Sequence, residues 1–224
     1  MPLYFGMFIS VFAYIIGMQL KKKLGWGILN PLLVAIILII AFLKGTGISY
    51  SEYNEGASYI GYFLTPATVC LAIPLYKQLE LLKKNFAAVI IGITSGVLAS
   101  AASIFVMSKL FSLEHVYYVS LLPKSITTAI GMGVSEEAGG IVTLTIVSII
   151  FAGIFGNIIG ETWFRIIGIK ESLAKGLALG TAAHAIGTAK ALELGEVEGA
   201  MSSLSIAVAG LMTVVVVPLV SGLI

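Results

Sequence analysis

Pro123-Lys124-Ser125-Ile126-Thr127-Thr128-Ala129-Ile130-Gly131-Met132-Gly133-Val134-Ser135-Glu136-Glu137-Ala138-Gly139-Gly140 packs a proline, four glycines, four hydroxyls and three charges into eighteen residues of an otherwise apolar chain. A helix facing lipid does not have this composition. Proline removes a backbone donor and glycine permits unwound geometry, while Ser and Thr hydroxyls can act as ligands or satisfy opened backbone. Glycine and hydroxyl residues also occur where membrane helices pack closely. Lys124 and the Glu136-Glu137 pair tip the whole stretch toward a functional site, because ionisable groups within a bilayer are costly. Taken alone, Glu136-Glu137 reads as a solvated loop.

The surrounding chain supplies the bilayer. Its 224 residues are 58% hydrophobic and 11% charged, with a mean hydropathy of +1.06, against roughly 45–50% apolar and 25% charged in a soluble domain. At about 20 residues per span the chain has room for at most about eight segments and no outlying globular domain. A net charge of +2 implies no nucleic-acid partner. The single cysteine, Cys70, forbids an internal disulfide and reads as a small core residue. The N-terminus lacks a basic n-region, so its first apolar stretch reads as a retained helix.

Apolar stretches fall at about 2–20, 28–43, 56–76, 86–111, 115–135, 141–164, 173–192 and 199–223. Basic breaks at Lys21-Lys22-Lys23, at Lys77, Lys83 and Lys84, and at Arg165, Lys170 and Lys175 are expected inside; the breaks near 44–55 and 109–115 are expected outside. Threading the chain through these loops makes the fifth stretch start and end on one face. A re-entrant or broken segment does that, and is tolerated only where protein or a water-filled cavity satisfies its backbone. The expected fold is an all-α multi-pass membrane protein with about six full spans and two broken or re-entrant segments.

The second broken segment is Gly180-Thr181-Ala182-Ala183-His184-Ala185-Ile186-Gly187-Thr188-Ala189-Lys190-Ala191-Leu192-Glu193-Leu194-Gly195. Offset by 56 positions it repeats the first, pairing Ser125 with Thr181, Ala129 with Ala185, Ile130 with Ile186, Gly131 with Gly187, Glu137 with Glu193 and Gly139 with Gly195. Paired interrupted segments are the sequence pointer to a transporter's binding site, and an entry from opposite faces would make the copies an inverted repeat. Acidic residues at 193–198 would also suit a simple span, which leaves the side of the C-terminus open. The residues divide as 1–111 for the N-terminal helices, with 112–168 and 169–224 as repeat units of one transmembrane domain.

The motif chemistry is that of a small-anion site. Lys124, His184 and Lys190 are basic side chains beside glycine-interrupted helices, whose half-helix N-termini would offer N–H groups to a carboxylate. Ser125, Thr127, Thr128 and Thr188 supply neutral hydrogen bonds; Gly131 and Gly187 allow close backbone approach. Glu137, Glu193 and His184 are candidate proton or counter-charge groups. Against this, His184 also reads as a structural histidine between helices, and both lysines as snorkelling to an interface. With two histidines, no aspartate and one cysteine, no metal cluster, catalytic elbow or phosphate loop is present. No cofactor is expected. A Lys124-Ser125 dyad is set aside because neighbours on a helix do not face each other.

Leu122-Pro123-Lys124-Ser125-Ile126-Thr127-Thr128-Ala129-Ile130-Gly131-Met132, Gly139-Gly140 and His184-Ala185-Ile186-Gly187-Thr188-Ala189-Lys190-Ala191 resemble the two signature motifs of the LrgB/CidB family, and the resemblance spans essentially the whole chain. Ala129 stands where many members have proline, and Ala185 where many have glycine; neither change removes a polar group. The resemblance implies a bacterial inner-membrane protein acting with a smaller LrgA- or CidA-like membrane partner. It also implies an antiholin- or holin-like role in controlling murein hydrolase activity and autolysis, and links to transport of small carboxylates such as pyruvate, glycolate and glycerate. The expectation is a non-enzymatic monocarboxylate carrier component, with a lysis modulator acting by assembly as the alternative and homo-oligomerisation open.

Overall fold

The computed structural model describes residues 4–24, 29–63, 66, 69–70 and 72–224. Among them the chain is all-helical and falls into two compact units, residues 1–70 and 71–224. The first holds α1 (Phe5–Leu24), α2 (Pro31–Thr46) and α3 (Tyr50–Gly61). The second holds α4 (Ala72–Lys77), α5 (Leu79–Lys84), α6 (Phe86–Leu110), α7 (His115–Leu121), α8 (Thr128–Glu137), α9 (Val142–Ile167), α10 (Ser172–Leu194) and α11 (Glu196–Ser221).

In the first unit, local chemistry sets the helix ends. Lys21, Lys22 and Lys23 occupy the last turn of α1, where cations oppose the negative end of the helix dipole. Asn30 caps α2 by accepting from the Leu32 and Leu33 amides at 2.8 and 3.2 Å, Pro31 opens the helix, and Gly47 closes it with φ +72°. Helix α3 begins at Tyr50, inside the break expected at 44–55. The reason is a capping box: Ser49 Oγ accepts from the Glu52 amide, and Glu52 accepts from the Ser49 amide. Cys70 is exposed, not in a core. On a chain built for lipid, an apolar side chain has no need of a protein interior.

Helices α6, α9 and α11, all in the second unit, are long and apolar enough to cross a bilayer. The chain is a multi-pass membrane protein. Of the eight expected stretches, the third (56–76) includes positions 64–65, 67–68 and 71, which lie outside the described residues. Val89, Ile93 and Val97 of α6 form a core with Leu177, Ala200, Met201 and Ala209.

Two segments double back against this frame. Helices α7 and α8 are joined by a bend at 122–127. Ser120 Oγ accepts from the Ile141 amide at 2.7 Å, and Thr145 Oγ1 donates to the Ser120 carbonyl at 2.8 Å while lying 2.6 Å from Ser135 Oγ. The end of α8 therefore returns to the start of α9. The outer end of α7 lies at the end of α11, where Tyr118 donates to the Val220 carbonyl and His115 Nδ1 is 2.8 Å from the Ile224 oxygen.

Helix α10 breaks at His184, whose backbone has φ +41° and ψ −135°. Before the break, Leu179, Ala183 and His184 lie against Gly160, Gly156 and Gly153 of α9 in turn. After it, Asn157 Nδ2 donates to the Ile186 carbonyl at 2.9 Å and Lys190 reaches Glu161 at 3.0 Å. The first half thus runs down α9 and the second half runs back up it. Gly187 permits this fold-back, since a Cβ there would collide with the Leu179 carbonyl. The outer ends lie by Phe164 and by the start of α11, where Gly176 packs against Glu198 and Met201. Ile149 touches both doubled segments: its side chain abuts Gly131, and its carbonyl accepts from His184 Nε2 at 2.9 Å.

Candidate functional site

Lys124 and Ser125 sit in the bend between α7 and α8. Proline at 123 and the β-region backbone of Thr127, the N-cap of α8, keep the bend out of a helix. The neighbours therefore do meet: Lys124 Nζ donates to Ser125 Oγ at 2.9 Å and to Ser100 Oγ of α6 at 3.1 Å, and the two hydroxyl oxygens are 3.2 Å apart. This corrects the expectation that Lys124 and Ser125 point apart, which assumed helical geometry. Ser125 is buried and Lys124 half-buried.

The cluster opens onto a groove of about 810 Å³ between α6 and the first half of α10. Its walls are mainly small, with Gly92, Gly96, Ala178 and Ala182, and its polar groups are Ser95, Ser100, Ser103, Lys124, Ser125 and Thr181. Behind it lies a cavity of about 10 Å³, which Ser100, Ser125 and Thr181 line together with Thr213 of α11. An apolar-walled groove with one cation and several hydroxyls suits an organic anion. Helix α8 starts at Thr128, just beyond the bend; its first amides lack intrahelical partners, and the Thr127 side chain makes no capping bond to them.

The other expected site residues are distributed differently. Thr127 and Thr128 are half-buried at the start of α8, and Gly131 is buried against Ile149. His184 is 4% exposed and does not line the groove; its bond to the Ile149 carbonyl pins the α10 break to α9. Thr188 donates to the His184 carbonyl at 2.9 Å and lies 2.7 Å from Ser202 Oγ. Lys190, with a side chain 17% exposed, bridges Glu161 at 3.0 Å and Glu193 at 3.5 Å, and Arg165 adds a 3.7 Å contact to Glu161. Glu137 is exposed at the end of α8. The structure brings Lys124 and Ser125 together; it gathers Lys190 and Glu193 at the far end of α9. No group of metal ligands occurs among the described residues.

Ser100 and Thr181 line the groove without being singled out as ligands by the sequence. Ser100 lies in a stretch that reads as a plain span, but Gly92, Ser95, Gly96, Ala99, Ser100 and Ser103 recur at spacings of three and four and so share a helix face. That small and polar stripe is the signal.

The family model described as the LrgB-like family matches residues 10–223. The chain belongs to the LrgB-like family. Proteins named "Antiholin-like protein LrgB" from Bacillus cereus (strain B4264) and Bacillus anthracis (strain A0248) are 42% identical over 217 residues, covering 96% of this chain and 94% of theirs. No solved structure matches. For an LrgB-like protein, the two motifs are thus the two places where the chain doubles back.

Proposed function

We propose that this LrgB-like chain is a carrier component for small monocarboxylates of the pyruvate and glycolate kind, working with an LrgA- or CidA-like small membrane protein. The observation that carries the reading is the Lys124 ammonium set among the Ser100 and Ser125 hydroxyls at the wall of an open groove between α6 and the first half of α10. A cation so placed in a membrane protein has a reason when an anion visits it. Lys124 and Ser125 bind the carboxylate, with Thr127, Thr128 and the start of α8 completing that side. His184, Gly187 and Thr188 shape the second break, and Lys190, Glu137 and Glu193 serve as counter-charges nearer the ends of the helices.

The architecture proposed is the expected one, about six spans and two re-entrant segments, with the re-entrant segments in inverted repeats at 112–168 and 169–224. In support, the α7–α8 pair has its outer ends at the start of α9 and the end of α11, whereas α10 has its outer ends at the end of α9 and the start of α11. Broken segments entering from opposite faces toward a shared site are a recurrent carrier design.

Uptake of labelled pyruvate, glycolate and lactate into proteoliposomes, with and without the small partner, tests the proposal. Lys124→Ala should abolish most uptake, and unaltered uptake would overturn the assignment. Because Lys124 touches Ser125, labelling of Ser125 by a fluorophosphonate would instead indicate a hydrolase; none is expected.

The relatives' name favours a second reading, an antiholin-like modulator of murein hydrolase activity and autolysis acting by assembly. A carrier gains thermal stability with its ligand by mass action, whereas an assembly factor is indifferent to carboxylates. The readings join if carboxylate flux alters envelope acidity and through it autolysis.

A further inference from the structure

Thr181 is the position that the 56-residue offset pairs with Ser125, and the two side chains line the same cavity. Thr181 is 7% exposed, yet its Oγ1 has no hydrogen-bond partner. Several other hydroxyls on these helices bond back to the carbonyl four residues earlier: Thr94 to Ile90, Thr188 to His184, Ser203 to Gly199, Ser205 to Met201 and Thr213 to Ala209. Ser108 Oγ of α6 is also buried without a partner, but unlike Thr181 it lines neither the cavity nor the groove. Thr181 departs from that pattern while its Cγ2 occupies the space left by Gly96, 2.7 Å from where a Cβ would stand. The glycine takes the methyl, and the hydroxyl is left buried with nothing to bond. An unsatisfied buried hydroxyl costs about 1–3 kcal/mol in general, so a persistent one calls for a visiting partner.

The cavity beside it, of about 10 Å³, has room for about one oxygen-sized occupant. Ser100, Ser125 and Thr181 line this cavity and the groove alike, and Lys124 stands at the groove side of them. We infer that Thr181 is a second carboxylate-binding residue, supplied by the other broken segment. One ligand oxygen enters the small cavity and accepts from Thr181 Oγ1, the other faces Lys124 Nζ, and the carbon chain lies in the groove. The site is then closed from both doubled segments, with Ser125 and Thr181 as its equivalent hydroxyls and Ser100 holding Lys124 in register. This rests on the carboxylate-carrier reading and adds to it the residue that makes binding depend on both segments.

The experiment is titration of the purified full-length protein in nanodiscs with pyruvate, glycolate and lactate. Thr181→Val keeps the shape and removes the hydroxyl; binding of all three should weaken by about tenfold, because the atom contacted is the carboxylate that they share. Thr181→Ser should stay within about twofold of the unaltered protein. If the valine variant does not fold, comparing Thr181→Ser with Thr181→Ala isolates the hydroxyl in the same way, with the serine form binding about tenfold more tightly. Equal affinities with and without the hydroxyl, as expected if only a structural water fills the cavity, would overturn the inference while leaving the carrier reading intact. Failure of the unaltered protein to bind any of the three acids would overturn both.

Discussion

His184 holds a backbone conformation that side chains rarely adopt, with φ +41°, and it does so at the point where α10 turns back. The strain is offset by a buried bond from Nε2 to the Ile149 carbonyl and by close packing on Gly153, where a Cβ would come within 2.8 Å of the ring. Two substitutions separate these effects. Both His184→Ala and His184→Gly lose the ring and its bond, but only glycine relieves the backbone, at a gain of about 1–3 kcal/mol. The glycine variant should therefore melt above the alanine variant in detergent, with the unaltered protein above both if the bond outweighs the strain. An alanine variant as stable as the glycine one would show that the turn is unstrained. The sequence marked His184 as a member of a broken motif, but pattern alone could not choose between ligand and fastening, since both need a buried imidazole. Lys124 was more legible because a lysine amid glycine and hydroxyls has few structural uses. Thr181 was visible only as one half of a repeat, since a missing hydrogen bond is a property of the folded chain.

At the scale of elements, helix ends show how far short-range chemistry carries. The Ser49-x-x-Glu52 spacing is a capping signature that hydropathy overlooks, because both residues are polar and read as loop. Hydrogen bonds from the Ser49 side chain and backbone hold the Glu52 carboxyl below its ordinary value. The sign follows from linkage: a group more acidic in the folded state adds stability above its unfolded pKa, and that contribution is lost as pH falls through the lower, folded value. α3 should thus fray on acidification below the ordinary glutamate range, while Glu52→Gln should be less sensitive to pH over that window. Amide hydrogen exchange at residues 50–53 is the measurement; equal pH dependence in the two proteins would remove the capping carboxylate from the account. Breaks inside helices were easier to locate than helix starts, since proline and clustered glycine change the backbone itself. What spacing could not give was the sense of each break: helical geometry separated Lys124 from Ser125, and only a bend brings them to 2.9 Å.

For the whole molecule, membrane sidedness is where charge and contact bear on the same question. The doubled segment α7–α8 ends beside Ile141 and the close of α11, and α10 ends beside Phe164 and the opening of α11. Because α9 is long and apolar enough to span a bilayer, its two ends belong on opposite sides, so the segments should enter from opposite faces. Charge alone left this open: Lys190 at the end of α10 sits among Glu193, Glu196 and Glu198, and acids weigh little in setting orientation. The ion pairs explain the crowding, as Lys190 bridges Glu193 and Glu161 one turn before Arg165, at the end of α9 that the basic break is expected to place inside. Replacing Cys70 by serine and introducing Glu137→Cys or Glu193→Cys, one per protein, turns the equivalent acids of the two motifs into reporters. Both positions are exposed. A membrane-impermeant maleimide applied to intact cells should label the cysteine at 137 within minutes and reach the one at 193 only after the membrane is opened. Labelling of both from the same side would break the inverted arrangement, and with it the argument that Ser125 and Thr181 arrive at one cavity from opposite faces of the bilayer.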